Sequence, residues 1–223
     1  MTRFAALLFD CDGVLVDSEP ITHRVLQRRL HDLGWALSLA ECEHHFLGRA
    51  VKDQSALIAQ ETGREIDEAW LVDFRRSRDE ALARDLVAIE HAAHVVKTLS
   101  AHYQHNMACV SGADRGKVEM QLKHVGLWAY FEGRIFSGHE VAKTKPAPDV
   151  YLAALSALGQ SAQACVAIED TPSGVKSASL AGLPVWAYLA NGQEHGVCTH
   201  ANLIAAGAQK VFGSMAELTG WCL

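Results

Sequence analysis

Residues 4–18 read FAALLFDCDGVLVDS. An apolar run the length of a buried strand ends in two aspartates, Asp10 and Asp12, separated by one residue. Side chains of an extended chain alternate with period two, so both carboxylates project to the same side. Two like charges that close repel, and the pair needs a cation or a shared proton. Gly13 lets the backbone turn sharply beside them. Asp-Gly is also ordinary turn chemistry after a strand, so this stretch alone is as compatible with a surface turn as with a site.

At 223 residues and 49% hydrophobic content, the chain is expected to be globular, as one domain or as a domain carrying a large insertion. A net charge of −6 and a pI near 6.0 leave none of the basic footprint that nucleic-acid phosphates require. The six cysteines contain no Cys-x-x-Cys pair and read as reduced thiols of a cytoplasmic protein. Asp10 and Asp12 interrupt any signal-like stretch, and nowhere do about 18 apolar residues follow one another, so neither secretion nor membrane insertion is expected.

From about Glu19 to Asp85 strand-like runs vanish and helix formers take over. Ile21, Val25, Leu26, Leu30 and Leu33 recur at helical spacing ahead of Gly34; further helices are expected over Val51–Thr62 and Asp67–Leu86. Arg75, Arg76, Arg78, Asp79 and Glu80 read as the solvated face of the last. Beyond Leu86, strand candidates (Met107–Val110, Arg134–Phe136, Cys165–Ile168, Val185–Tyr188) alternate with helical ones (Lys117–His124, Asp149–Leu158, Gly174–Ala181). Such alternation predicts an α/β fold with a doubly wound, Rossmann-like parallel sheet. Ligands of such sheets bind at the carboxyl ends of the strands.

Those ends carry the chemistry. The first strand ends in Asp10 and Asp12, the second in Ser111-Gly112 and the fourth in Glu169-Asp170, while Lys145 lies in a loop just ahead of a helix. Each residue alone has a bland reading; four carboxylates, a hydroxyl and an ammonium at one edge are costly unless a divalent cation and an anionic substrate balance them. Oxygen ligands favour Mg²⁺, with Asp10 and Asp170 the best direct ligands. Asp10 is then placed to attack phosphorus in line and form an aspartyl-phosphate. Asp12 suits a general acid and base if burial and like charges raise its pKa. Ser111 and the amides around Gly112 suit phosphate oxygens.

These residues resemble the haloacid dehalogenase superfamily, in particular its capped phosphatases and β-phosphoglucomutase-like enzymes. Residues 10–18 look like the first motif, Ser111 the second, Lys145-Pro146 the third, and Ile168-Glu169-Asp170 with Gly174 the fourth. The resemblance implies a core domain of residues 1–15 and 87–223, with an inserted helical cap over 16–86. It implies catalytic roles for Asp10, Asp12, Ser111 and Lys145. It also implies Mg²⁺ held by Asp10, the Asp12 carbonyl and Asp170, with Glu169 in support. Three departures stand out. Thr22 occupies the position of the mutase histidine, with His23 expected to face elsewhere; Val51 replaces the arginine of a Gly-x-x-Arg turn in Gly48-Arg49-Ala50-Val51; and His91 stands where relatives commonly have glycine. Arg49 and Lys52 are the candidate substrate-binding residues of the cap.

The expectation is thus a Mg²⁺-dependent phosphomonoester hydrolase, monomeric, acting on a small phosphorylated metabolite such as a sugar phosphate or nucleotide. A phosphosugar mutase is the alternative among enzymes. A receiver-like signalling domain also uses an acidic pocket and a lysine, but the helical insertion and the Asp10/Asp12 spacing argue against it. His91, His94, His102 and His105 are expected to be ordinary exposed or satisfied histidines rather than a soft-metal site.

Overall fold

A computed structural model of the chain describes residues 4–47, 49 and 51–223. Six strands, β1 (Ala6–Phe9), β2 (Met107–Ser111), β3 (Ile135–Ser137), β4 (Cys165–Glu169), β5 (Val185–Tyr188) and β6 (Lys210–Phe212), form one sheet in the order β3-β2-β1-β4-β5-β6. Every neighbouring pair is parallel. β1 is central, paired to β2 on one side and β4 on the other.

Its alternation divides the core. Leu7 and Phe9 join one buried cluster with Met107, Cys109, Val166 and Ile168; Ala6 and Leu8 join another with Ala108, Val110, Cys165 and Ala167. Between β1 and β2 the chain is helical: α1 (Glu19–Asp32), α2 (Leu39–Phe46), α3 (Ser55–Thr62), α4 (Glu68–Asp85) and α5 (Ala92–Tyr103). The later helices are α6 (Arg115–His124), α7 (Trp128–Phe131), α8 (Asp149–Leu158), α9 (Pro172–Leu180), α10 (His200–Ala206) and α11 (Glu217–Cys222). Val95, Leu99, Val118, Leu122 and Leu218 of α5, α6 and α11 cover the first face; Val150, Ala154, Val175, Ala178 and Leu203 of α8, α9 and α10 cover the second.

Local chemistry sets the helix ends. Asp67, Asp114, Thr171 and Thr199 each accept a main-chain N–H of the first turn of α4, α6, α9 and α10, satisfying donors that have no partner within the helix. Ser38 and Glu41 form a reciprocal capping box at the start of α2, a signal that the hydrophobic pattern alone passes over. The expected helix over Val51–Thr62 is instead a short 3₁₀ turn, Val51–Gln54, followed by α3. β6 escapes the sequence reading because three residues at a sheet edge carry too little alternation to register.

Two crossing segments tie α1–α4 to the sheet. Val16 bridges Ala88 in antiparallel fashion, Asp17 N–H donates to Val87 O at 3.0 Å, and Ile89 N–H donates to Leu15 O at 3.1 Å. Immediately after, His91 adopts a left-handed conformation with φ of 66°, the geometry that glycine takes most readily. Among the described residues no helix is long and apolar enough to cross a membrane.

Candidate active site

The parallel sheet delivers the sequence-selected residues to one edge. Asp10, 8% exposed, follows β1 directly, and its N–H donates to Ile168 O at 2.9 Å. Ser111 closes β2 and Glu169 closes β4. The Lys145 ammonium donates to Asp10 Oδ1 at 2.9 Å, Glu169 Oε1 at 2.7 Å and Val110 O at 2.9 Å, so all three of its N–H bonds are directed. Tyr151 of α8, absent from the sequence reading, donates its hydroxyl to Glu169 Oε1 at 2.5 Å.

Asp10, Glu169 and Asp170 each offer a carboxylate oxygen within 4.8 Å of the others. Burial raises the pKa of Asp10 above the ordinary range despite the Lys145 charge. Burial and the Asp10 charge lift Glu169 to about 7, and burial followed by the charges of Asp10 and Glu169 pushes Asp170 well above the usual range. One lysine leaves this acidic group under-compensated. Glu169 Oε2 and Asp170 Oδ1 are buried without a hydrogen-bond partner. Unpartnered buried carboxylate oxygens are costly, and a hard divalent cation is what such a donor set fits. Two glycines make room for them: a Cβ on Gly13, whose φ is 80°, would lie 1.9 Å from Asp170 Oδ2, and one on Gly174 would lie 1.9 Å from Glu169 Oε2.

Asp12 stands apart from this group. Its carboxylate receives the Lys117 ammonium at 3.0 Å on both oxygens, Gln121 Nε2 at 2.8 Å and the Ser18 hydroxyl. Burial alone would raise its pKa, but the Lys117 charge and these hydrogen bonds outweigh burial and bring it down to about 2. The expected upward shift is therefore reversed. Lys117 and Gln121, four apart on α6, share a face that the sequence reading treated only as part of a helix. The Asp12 carboxylate is not one of the three grouped for a cation.

A cavity of about 290 Å³ opens over the sheet edge, lined by Asp10, Asp12, Ser111, Gly112, Lys145, Thr171 and Ser173 below and by Thr22, His23, Leu26, Phe46, Arg49 and Val51 from the helical region. Ser111 is buried, its hydroxyl accepting Ala113 N–H at 3.0 Å. Arg49 borders this space; Lys52 does not, and lines an adjoining cavity. Gly48 and Ala50 lie outside the described residues. His23 does not face elsewhere: it is buried, 3.5 Å from Glu19 Oε2, and borders the same cavity as Thr22. The wall spans more of α1 than a single helical position, so neighbours about 100° apart both reach it. His91 is exposed and lies 3.6 Å from the exposed Glu90. Among the described residues the three-carboxylate group is the one cluster of His, Cys, Asp or Glu spaced for a metal. All six cysteines are buried and none is joined in a disulfide among the described residues.

The sequence profile of the haloacid dehalogenase-like hydrolases matches residues 4–182, most of the chain and every residue of this cluster. The chain belongs to that family. The hydrolase is 27% identical over 196 residues to the 6-phosphogluconate phosphatase of Escherichia coli, covering 86% of this chain and 85% of that protein. It is 32% identical over 190 residues to the fructose-1-phosphate phosphatase of the same organism, covering 81% and 94%. Among solved structures, a haloacid dehalogenase family hydrolase from Deinococcus radiodurans with bound phosphate and sodium superposes with a TM-score of 0.80 at 32% identity, covering 98% of this chain and 94% of that one.

Proposed function

We propose that this haloacid dehalogenase-like hydrolase is a Mg²⁺-dependent phosphatase of small phosphorylated sugars. The observation carrying the reading is the grouping of Asp10, Lys145, Glu169 and Asp170, of which Asp10 and Lys145 line the first cavity, with two buried carboxylate oxygens unpartnered. The named activities of the two Escherichia coli relatives support the substrate class.

Asp10 is the nucleophile. Lys145 holds one of its oxygens, leaving the other to attack phosphorus in line and form an aspartyl-phosphate. Asp10, the Asp12 carbonyl and Asp170 would hold Mg²⁺, with Glu169 supporting, and the ion would supply charge compensation for phosphoryl oxygens. Ser111 and the Gly112 amide orient those oxygens without adding charge, with the Ala113 N–H held on the Ser111 hydroxyl. Asp12 serves the leaving group and then the attacking water. Lys117, Gln121 and Ser18 fix it as a carboxylate here, so taking up a proton requires it to loosen from Lys117 as substrate enters. Residues 16–86 act as the cap that closes over the cavity, with Thr22, Arg49 and Val51 on its inner wall.

The test is phosphate release from p-nitrophenyl phosphate and a sugar-phosphate panel with Mg²⁺ or EDTA. Mg²⁺-dependent release that vanishes in Asp10→Asn, with melting unchanged, supports the reading; unimpaired release by that variant overturns the nucleophile. A phosphosugar mutase is a second reading, favoured by His23 at the cavity wall. It requires an isomeric sugar phosphate to appear without free phosphate.

A further inference from the structure

The crevice continues past the phosphoryl pocket. A second cavity of about 700 Å³ adjoins the first, sharing Thr22, Arg49, Val51 and Ala113 with it. Arg49, Lys52, Arg75, Arg78 and Lys117 line it, against the carboxylates of Asp53 and Asp114. Asp114 accepts the main-chain N–H of Lys117 as the cap of α6 and keeps its charge, while the Lys117 ammonium is paired with Asp12, so Arg49, Lys52, Arg75 and Arg78 face Asp53 and Asp114 here. In a chain of net charge −6, this is a local excess of positive charge.

Of the charges expected on the solvated face of α4, Arg75 is exposed at 44%, whereas the Arg78 side chain is only 15% exposed; both border this cavity. Their partners, Glu68 at 2.9 Å and Asp79 at 2.7 Å, are outside the cavity lining and are 65% and 43% exposed. Ion pairs to such exposed carboxylates are worth little, so the guanidinium groups give up little by turning to another anion. Guanidinium also suits a carboxylate or phosphate by its paired donors.

A third cavity has the other sign. About 280 Å³ in volume, it lies on the side of Gly13 and Asp170 and is lined by the acids Asp17, Glu19, Glu43 and Glu194. The phosphoryl cavity thus adjoins a basic space through Arg49 and an acidic one through Glu19, which burial lifts to about 7.

We infer that the preferred substrates are phosphomonoesters bearing a second anionic group, a carboxylate or a further phosphate, which Arg75 and Arg78 receive in the basic cavity. This rests on the phosphatase reading of the site. The probes are a neutral sugar monophosphate, a sugar-acid monophosphate and a sugar bisphosphate of matched chain length, each assayed with Mg²⁺ for kcat and KM. At least one doubly anionic probe is expected to exceed the neutral one in kcat/KM by at least ~10-fold, with the sugar-acid and bisphosphate arms telling which anion is read. In Arg75→Gln/Arg78→Gln that preference falls toward unity through KM, while Arg78→Lys retains part of it. Thermal melting checks the fold; if the double variant is unfolded, Arg75→Gln alone, at a half-exposed position, carries the test. Equal kcat/KM for all three probes, or a preference that survives the substitutions, overturns the inference and leaves the phosphatase intact. Turnover of no phosphomonoester overturns the phosphatase reading, and this inference with it.

Discussion

Lys117 Nζ lies 3.0 Å from each carboxylate oxygen of Asp12, across 105 residues of sequence. Both side chains are largely buried, and the pair holds the Asp12 pKa at about 2. A folded pKa below the unfolded one contributes stability that is complete above about pH 4 and is lost as pH falls toward 2. That contribution is about 2 kcal/mol. Lys117→Met is expected to cost about 2–3 kcal/mol at pH 7 and to flatten this acid dependence, since Asp12 keeps Ser18 and Gln121. Urea unfolding of both proteins between pH 2.5 and pH 7 measures both effects.

The carboxylate group has the opposite dependence. Glu169, lifted to about 7 by burial and Asp10, contributes stability that is full below about pH 4.5 and is lost as pH rises through 7. Protein treated with EDTA is therefore expected to melt lower at pH 8 than at pH 5.5. Mg²⁺ at 100 times its Kd is expected to restore about 2.7 kcal/mol at pH 8. Asp170→Asn should abolish most of that Mg²⁺ response while raising the melting temperature in EDTA. A Mg²⁺ response of wild-type size in the variant would remove Asp170 from the metal site.

Gly174 tests how tightly the acids are held. A β-carbon there meets the Glu169 carboxylate at 1.9 Å, and Glu169 is pinned by Lys145 and Tyr151. Gly174→Ala is expected to destabilise by about 1–3 kcal/mol and to weaken Mg²⁺ binding, since Glu169 must move. Gly220→Ala, where nothing lies within 4 Å, is the control. Calorimetric Mg²⁺ titration of the two variants separates them.

His91 offers a stability prediction away from the chemistry. At φ of 66° a side chain is strained, and glycine is not. His91→Gly is expected to match or exceed wild type by up to about 1 kcal/mol, because relief of strain offsets the extra freedom of the unfolded chain. His91→Val, β-branched, is expected to lose about 1–2 kcal/mol. Denaturation midpoints of the pair provide the comparison.

Much of the site could be read from residues whose neighbours in sequence announce their place. Asp10, Ser111 and Glu169 each terminate an apolar run, and a parallel sheet has to bring such ends together. Val185–Tyr188 and Asp149–Leu158 coincide with β5 and α8 because their apolar patterns are bounded on both sides. Lys117, Gln121 and Tyr151 carry no comparable local mark: they matter through partners 105, 109 and 18 positions away. The direction of the Asp12 shift was hidden for the same reason, since burial can be anticipated from a motif and a distant ammonium cannot. His23 was misjudged by assigning one helix position to one wall, whereas the cavity is broad enough for two.

The central position of β1 orders events during synthesis. Its four residues, all buried, are made before both partners, so one edge waits for Met107 and the other for Cys165. A nascent chain arrested before Cys165 can pair β1 with β2 but leaves Ala6–Phe9 with an open apolar edge, a template for joining another copy. Such a fragment already contains Asp10, Ser111 and Lys145 and lacks Glu169 and Asp170. Synthesis from Cys165 onward therefore serves two ends at once, sealing the sheet against self-association and supplying the acids that Asp10 stands beside.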